Sequence, residues 1–163
     1  MMKYLQKLGK AIMLPVAVLP VAAIMMGIGY AMCPATMQGG DVTGIIQIIG
    51  FALVKIGSAV IDKLPMLFAV GVAIGLSKDQ HGAAGLAGLV AFLTVTTVLN
   101  SGVVATMMGA EEAPLAFSKI DNAFIGIISG ITASVCYNKF SSAQLPTALA
   151  FFSGTDSYTH LTL

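Results

Sequence analysis

The sequence contains no arginine and no tryptophan, and only 9% of its 163 residues are charged. Soluble domains carry about a quarter charged residues. Hydrophobic residues make up 57% of the chain, more than a soluble domain of this size could hide, because many of its positions still face water. The shortage of charge therefore argues against a soluble domain and indicates a membrane protein.

Other features that the sequence lacks exclude several classes of function. The formal net charge is only +1, so there is no basic surface of the kind that binds nucleic acid. The two cysteines, Cys33 and Cys136, fit no metal or redox spacing. The sequence also lacks a phosphate-binding glycine loop before a lysine, and a nucleophile paired with a base. We therefore expect no metal, no cofactor and no catalytic residue in this chain.

Long apolar runs predict an all-α membrane protein with about four transmembrane helices and an amphipathic helix at the N-terminus. The first run would form a helix about 33 Å long, enough to cross roughly 30 Å of hydrocarbon. Residues 2–10 carry Lys3, Gln6, Lys7 and Lys10 on one side of a helix, as in a basic helix lying on the cytoplasmic membrane surface. A merely solvated basic terminus is the alternative. The predicted spans are residues 11–32, 60–77, 82–99 and 123–137.

Residues 44–77 are too long for one crossing, and Pro65 divides them. Before this proline, Gln47, Lys55, Ser58 and Asp62 fall within an arc of about 80° on a helix. A lysine facing lipid at mid-bilayer would cost at least about 2.5–3.5 kcal/mol. The polar stripe therefore predicts a helix over residues 45–59 that lies at the outer interface or lines a polar surface.

The lysines predict the orientation, because they are enriched in cytoplasmic loops. With a cytoplasmic N-terminus and four crossings, the loop at residues 101–122, which contains Glu111 and Glu112, is outside. The lysines that this arrangement places on the cytoplasmic side are Lys3, Lys7, Lys10, Lys78 and Lys139.

Small residues recur at helical spacing, which lets membrane helices approach closely. Close helix packing is the first interpretation of these positions, and lining a substrate path is the second. The candidate packing glycines are Gly71, Gly75, Gly82, Gly85, Gly88, Gly126 and Gly130.

Two sets of polar side chains allow two functional interpretations each. His81, beside Lys78 and Asp79, could relay protons or accept a phosphoryl group, or it could simply lie in a solvated loop. Glu111 and Glu112 could attract cations, or they could belong to an ordinary acidic outer loop.

Four segments of the sequence, in their order along the chain, form a recognisable pattern. They begin with Leu5-Gln6-Lys7-Leu8-Gly9-Lys10-Ala11-Ile12-Met13-Leu14-Pro15, with Leu64-Pro65-Met66-Leu67-Phe68-Ala69, with Ser77-Lys78-Asp79, and with Gly126-Ile127-Ile128-Ser129-Gly130. Together they resemble the glucose/N-acetylglucosamine family of enzyme IIC proteins of the bacterial phosphotransferase system. The Ser77-Lys78-Asp79 loop resembles the N-acetylglucosamine branch more than the glucose branch.

The resemblance implies a multi-pass, dimeric sugar permease in the bacterial cell membrane. It would take up N-acetylglucosamine or glucose while a partner IIB domain, supplied through IIA and HPr, phosphorylates the sugar. In that family a histidine and a glutamate in the second half of the membrane domain hold the sugar, and neither motif is present here. No sugar-binding or phosphoryl-carrying residue can therefore be assigned by resemblance.

Residues 1–154 are accordingly expected to be the N-terminal part of an enzyme IIC membrane domain that is inactive by itself. Residues 155–163 depart from the family pattern, and Ser157-Tyr158-Thr159-His160 could be encoded by a sequencing adaptor, so we expect a non-native tail. Two other functions stay open, namely a small holin-like pore and a membrane scaffold subunit that only binds partners.

Overall fold

The computed structural model describes residues 2–141 as helices joined by short turns. No strand occurs among these residues, which confirms the predicted all-α class. A 3-10 helix, Leu115–Lys119, lies between the last two α-helices. The α-helices are α1 (Met2–Val16), α2 (Leu19–Met32), α3 (Ala35–Gln38), α4 (Ile45–Asp62), α5 (Leu64–Leu76), α6 (Gly82–Val98), α7 (Ser101–Met108) and α8 (Ala123–Phe140).

Within the described residues, 3 helical segments are long and apolar enough to cross a membrane. They are Met2–Met32, which comprises α1 and α2, Ile45–Asp62, which is α4, and Ala123–Phe140, which is α8. A fourth candidate forms if α6 and α7, which are bent by 52° relative to each other, act as one broken span. Helix α5 is apolar but shorter. These helices agree with the predicted all-α membrane class of about four transmembrane helices.

Two pairs of consecutive helices are broken by a leucine-proline step. Helix α2 begins with Leu19-Pro20, and α5 begins with Leu64-Pro65 after a break at Lys63. Proline suits the first turn of a helix, where its missing N–H has no partner to lose, but it interrupts a helix that continues through it. The sequence pattern placed the second span from about residue 60, whereas the structure ends one helix at Asp62 and begins the next at Leu64.

The two broken pairs run antiparallel to each other, so that α1 packs on α5 and α2 packs on α4. Helix α5 also contacts α6 and α8, and it therefore lies at the centre of the main helix bundle. Its buried side chains include Phe68, Val72 and Leu76. Large apolar side chains stay exposed on the outer helices, for example Ile45 at 78% and Leu86 at 62%, as expected where lipid covers them.

Residues 101–122, which the sequence pattern predicts as a loop, contain the short helix α7. The Asn100 side chain starts this helix by accepting a hydrogen bond from the Gly102 amide, and Gly109 ends it in the left-handed conformation at φ 63°. Such a side-chain cap and a terminal glycine stabilise a short helix locally. The predicted tail, residues 155–163, lies outside the described residues.

Candidate functional site

The polar stripe of α4 faces a cleft of about 490 Å³. Helix α4 forms one wall, and the segment from the end of α2 through α3 to Val42 forms the other. Because ligand pockets in proteins commonly measure about 300–1,000 Å³, this volume suits a small molecule. We call it the α4 cleft; its polar lining side chains are Tyr30, Thr36, Lys55, Ser58 and Asp62.

Close packing of α2 on α4 positions this cleft. A Cβ atom on Gly50 would lie 2.8 Å from the Met32 Cβ and 2.9 Å from the Gly29 carbonyl oxygen. On Gly57 it would collide with Met26. At 100° per residue, the face formed by Gly50, Val54 and Gly57 lies beside the polar stripe instead of under it. The stripe is therefore left facing the cleft while its neighbour packs on α2.

The opposite wall is shaped by local hydrogen bonds. The Thr36 hydroxyl donates to the Cys33 carbonyl oxygen at 2.7 Å. Gly39 ends α3 in the left-handed conformation at φ 72°, which favours glycine. The Gln47 side chain accepts a hydrogen bond of 2.8 Å from the Thr43 amide. Gln47 therefore stabilises the start of α4 and does not line the cleft, unlike the rest of the predicted stripe.

Two opposite charges line the cleft along α4. The Lys55 ammonium lies 5.3 Å from the centroid of the Phe51 ring, within the range of a cation–π contact. Lys55 and Asp62 are separated by about 10 Å of helix rise, and neither has an ion-pair partner within residues 2–141. The Ser58 hydroxyl donates to the Lys55 carbonyl oxygen at 3.1 Å, so its lone pairs stay available to accept.

A second polar cluster lies at the turn between α5 and α6, residues 77–81, which we call the polar turn. The Lys78 amide donates to the Asn138 side-chain oxygen at 2.8 Å, and the Asn138 side-chain nitrogen donates to the Leu76 carbonyl oxygen at 3.2 Å. The Lys7 ammonium donates to the Ser77 carbonyl oxygen at 3.4 Å. The polar turn thus joins α1 to the ends of α5 and α8.

Asp79 and His81 have defined partners in the polar turn. The Tyr137 hydroxyl donates a hydrogen bond of 2.8 Å to the Asp79 carboxylate and lowers its pKa. The His81 Nδ1 atom accepts a hydrogen bond of 3.2 Å from the Ala83 amide and caps α6. In this arrangement Nδ1 has a capping role, since its lone pair is already used.

The glycine positions differ in their surroundings. A Cβ atom on Gly71 would lie 2.9 Å from Pro15, and one on Gly88 would lie 2.5 Å from the Ala69 carbonyl oxygen. Around Gly82 nothing lies within 4 Å. The predicted positions at which a Cβ would meet a neighbouring helix are Gly71, Gly75, Gly85, Gly88, Gly126 and Gly130.

The sequence pattern missed the glycines between α2 and α4, namely Gly29, Gly50 and Gly57. The seven-residue spacing of Gly50 and Gly57 could have signalled a common helix face. Among the described residues, no group of three or more His, Cys, Asp and Glu side chains could hold a metal. Cys33 is buried and Cys136 exposed, and both are free thiols.

The model of the family described as Phosphotransferase system, EIIC, matches residues 9–158. The chain belongs to this family. The sequence resemblance to enzyme IIC proteins is thereby confirmed, and the membrane location of EIIC components agrees with the apolar helices of the described residues.

Two curated relatives of this EIIC chain have names that include a sugar. It is 38% identical to the PTS system N-acetylglucosamine-specific EIICB component of Bacillus subtilis (strain 168), over 94% of this chain and 28% of the relative. It is 35% identical to the PTS system glucose-specific EIICBA component of Staphylococcus saprophyticus, over 92% of this chain and 24% of the relative. The chain thus spans about a quarter of the length of these relatives.

Proposed function

We propose that this chain forms the first part of the membrane domain of a sugar permease that takes up N-acetylglucosamine or glucose. Uptake would be coupled to phosphorylation of the sugar by a IIB domain, with a IIA domain as the phosphoryl donor. The family match over residues 9–158 carries this proposal. The sugars named in both relatives, and their EIICB and EIICBA compositions, support it.

The proposed arrangement in the membrane is multi-pass, with the N-terminus in the cytoplasm. Lys7 and Lys78 support it, since the structure brings α1 and the polar turn together at one end of the bundle, and Lys139 directly follows Asn138, which contacts the same turn. Lysines at one end favour the cytoplasmic side. The 101–122 segment with its two glutamates would then face outwards.

The proposed role of these helices is structural support within a dimeric permease that is embedded in the lipid bilayer. The close helix contacts at Gly71, Gly88 and Gly130 support it, because each lets a neighbouring backbone or side chain approach where a Cβ would collide. The curated relatives are EIICB and EIICBA components, and this chain covers only 28% and 24% of them. We therefore expect residues 1–163 alone to insert in membranes without transporting or phosphorylating sugar.

A chimeric permease tests the proposed function. Residues 5–154 would replace the matching segment of the Bacillus subtilis relative, and radiolabelled N-acetylglucosamine and glucose uptake would be measured in a strain without its own permeases. We expect uptake of at least one of the two sugars that depends on the IIB domain. A chimera that reaches the membrane in normal amounts and takes up neither sugar would contradict the proposal, as would sugar uptake by residues 1–163 alone.

A further inference from the structure

We propose that the α4 cleft is a sugar-binding site, and that its ligand is a hexose or an N-acetylhexosamine. The inference rests on the proposed function for the class of ligand. It goes beyond that function in assigning a sugar contact to this part of the chain, in the side chains of Tyr30, Lys55 and Asp62. The geometry of the cleft carries the inference in three steps.

The first step is the placement of charge. Helix α4 is apolar along most of its length, and its charged side chains Lys55 and Asp62 share one face. A charged side chain on such a helix is costly where it faces lipid, and it is tolerated where it faces a cavity or water. Lys55 and Asp62 both line the cleft, and neither has an ion-pair partner within residues 2–141. The cleft therefore holds two charged groups whose hydrogen-bonding capacity is available to a ligand.

The second step is the match between these groups and a polyol. A sugar hydroxyl both donates and accepts hydrogen bonds. The Asp62 carboxylate offers only acceptors, and the Lys55 ammonium offers only donors. The Ser58 and Thr36 hydroxyls already donate to backbone carbonyl oxygens, so they offer their lone pairs. Neighbouring hydroxyls of one ring can thus be recognised by donors and acceptors at the same time.

The third step is the apolar part of the lining. The Phe51 and Tyr30 rings both line the cleft, and aromatic rings provide a flat apolar surface with little conformational entropy to lose. A pyranose ring has an apolar C–H face that can lie against such a surface while its hydroxyls point to the polar groups. A site with a few convergent polar groups and aromatic walls is typical of small-molecule pockets.

A phosphate-bearing lipid headgroup is the main competing occupant, because Lys55 could bind its phosphate. The Asp62 carboxylate opposes it, since like charges within one small cleft repel each other. A neutral sugar meets no such repulsion. In the proposed orientation, the wall from Ala35 to Val42 lies on the outer side of the membrane. The cleft would then be accessible to sugar on the outside of the cell, before uptake.

Direct binding to residues 1–163 tests the inference. Residues 1–163 would be purified in lipid nanodiscs, and N-acetylglucosamine and glucose would be titrated separately while binding is followed by saturation-transfer NMR. We expect saturable binding of at least one sugar. Lys55→Met and Asp62→Asn should each weaken it at least about ten-fold, the loss expected when a polar site loses a hydrogen-bonding partner of a charged group.

Matched controls separate a local effect from a general one. Lys63→Met removes a charge just beyond α4, outside the cleft lining, and Asp121→Asn does the same far along the chain; both should leave sugar binding unchanged. Circular dichroism and size-exclusion chromatography would confirm that each variant is folded. Should a Lys55 variant fail to fold, Tyr30→Phe, which removes only a hydroxyl, serves as the second probe.

The possible results decide the inference separately from the proposed function. Binding that is lost in the cleft variants but kept in the controls supports a sugar site in the α4 cleft. The inference is overturned if residues 1–163 show no saturable binding, or if Lys55→Met and Asp62→Asn leave binding unchanged. The uptake experiment with the chimera is evaluated independently. A chimera that takes up sugar, together with no sugar binding in the α4 cleft, would overturn only this inference.

Discussion

The Tyr137 hydroxyl donates a hydrogen bond of 2.8 Å to the Asp79 carboxylate, although 58 positions separate the two residues in the sequence. This contact joins the last turn of α8 to the polar turn between α5 and α6. Next to it, Asn138 bridges the Leu76 carbonyl and the Lys78 amide. One turn of α8 thus provides two side chains that hold the polar turn in place.

The pair predicts a pH-dependent stability. The hydrogen bond from Tyr137 lowers the pKa of Asp79 from its ordinary value of 3.8. A depressed carboxyl pKa contributes stability above the unfolded value and loses it as the pH falls through the folded value. We expect Tyr137→Phe to lower the melting temperature slightly at pH 7, because Asp79 is exposed to solvent.

Thermal unfolding in detergent would measure this effect between pH 7 and pH 3. The difference between the wild type and Tyr137→Phe should shrink as the pH falls through the folded pKa of Asp79, because protonation of the carboxylate weakens the hydrogen bond that Tyr137 donates. Asp79→Asn should show no such pH dependence from this pair. A difference that stays constant across the range would contradict the assignment of the pair as the source.

Asn138 predicts a local change in hydrogen exchange. Its side-chain oxygen accepts the Lys78 amide hydrogen at 2.8 Å, so Asn138→Ala leaves this amide without its partner. We expect exchange at Lys78 to accelerate about five-fold, the equivalent of a hydrogen bond of about 1 kcal/mol. Cys136→Ala, on the same helix turn and exposed, is the control and should leave the Lys78 exchange rate unchanged.

Gly126 and Gly82 predict different results for the same substitution to alanine. A Cβ at Gly126 would collide with the backbone of Pro65, which cannot rotate away. Overpacking costs about 1–3 kcal/mol and outweighs the gain in helix propensity of about 1 kcal/mol. Gly126→Ala should therefore lower the free energy of unfolding, and Gly82→Ala should change it by less than about 0.5 kcal/mol. Equal stabilities of the two variants would refute the packing role.

The proposed orientation predicts a labelling pattern in intact cells. In a background with Cys33→Ala and Cys136→Ala, single cysteines would be introduced by Met2→Cys or Glu112→Cys. A membrane-impermeant maleimide should label position 112 in intact cells and position 2 only after permeabilisation. Labelling of position 2 in intact cells, with or without labelling of position 112, would contradict the proposed orientation.

Composition and periodicity were sufficient to predict the class of this protein. The scarcity of charge and the long apolar runs predicted helices, because an unpaired backbone polar group is too costly in lipid for any open structure. The stripe of Lys55, Ser58 and Asp62 was visible as an arc, since a helix repeats its faces at fixed spacing.

The sequence pattern did not predict which helices pack against these faces. Nothing in the pattern specifies that α4 packs on α2 through Gly29, Gly50 and Gly57, or that the α2–α3 segment covers the stripe and encloses a cleft. Contacts between residues far apart in the chain are set by how whole helices fit together, and a local periodicity contains no information on that fit.

By itself, therefore, the sequence determined that the chain is helical and belongs in a membrane, and where its polar and small residues repeat along each helix. The tertiary structure alone decided which of these residues meet. It brought Tyr137 to Asp79 and placed Lys55 and Asp62 on a cleft with Tyr30. The reason is physical: the burial of apolar surface and the backbone hydrogen bonds fix each helix locally, whereas side-chain packing between helices fixes the sites.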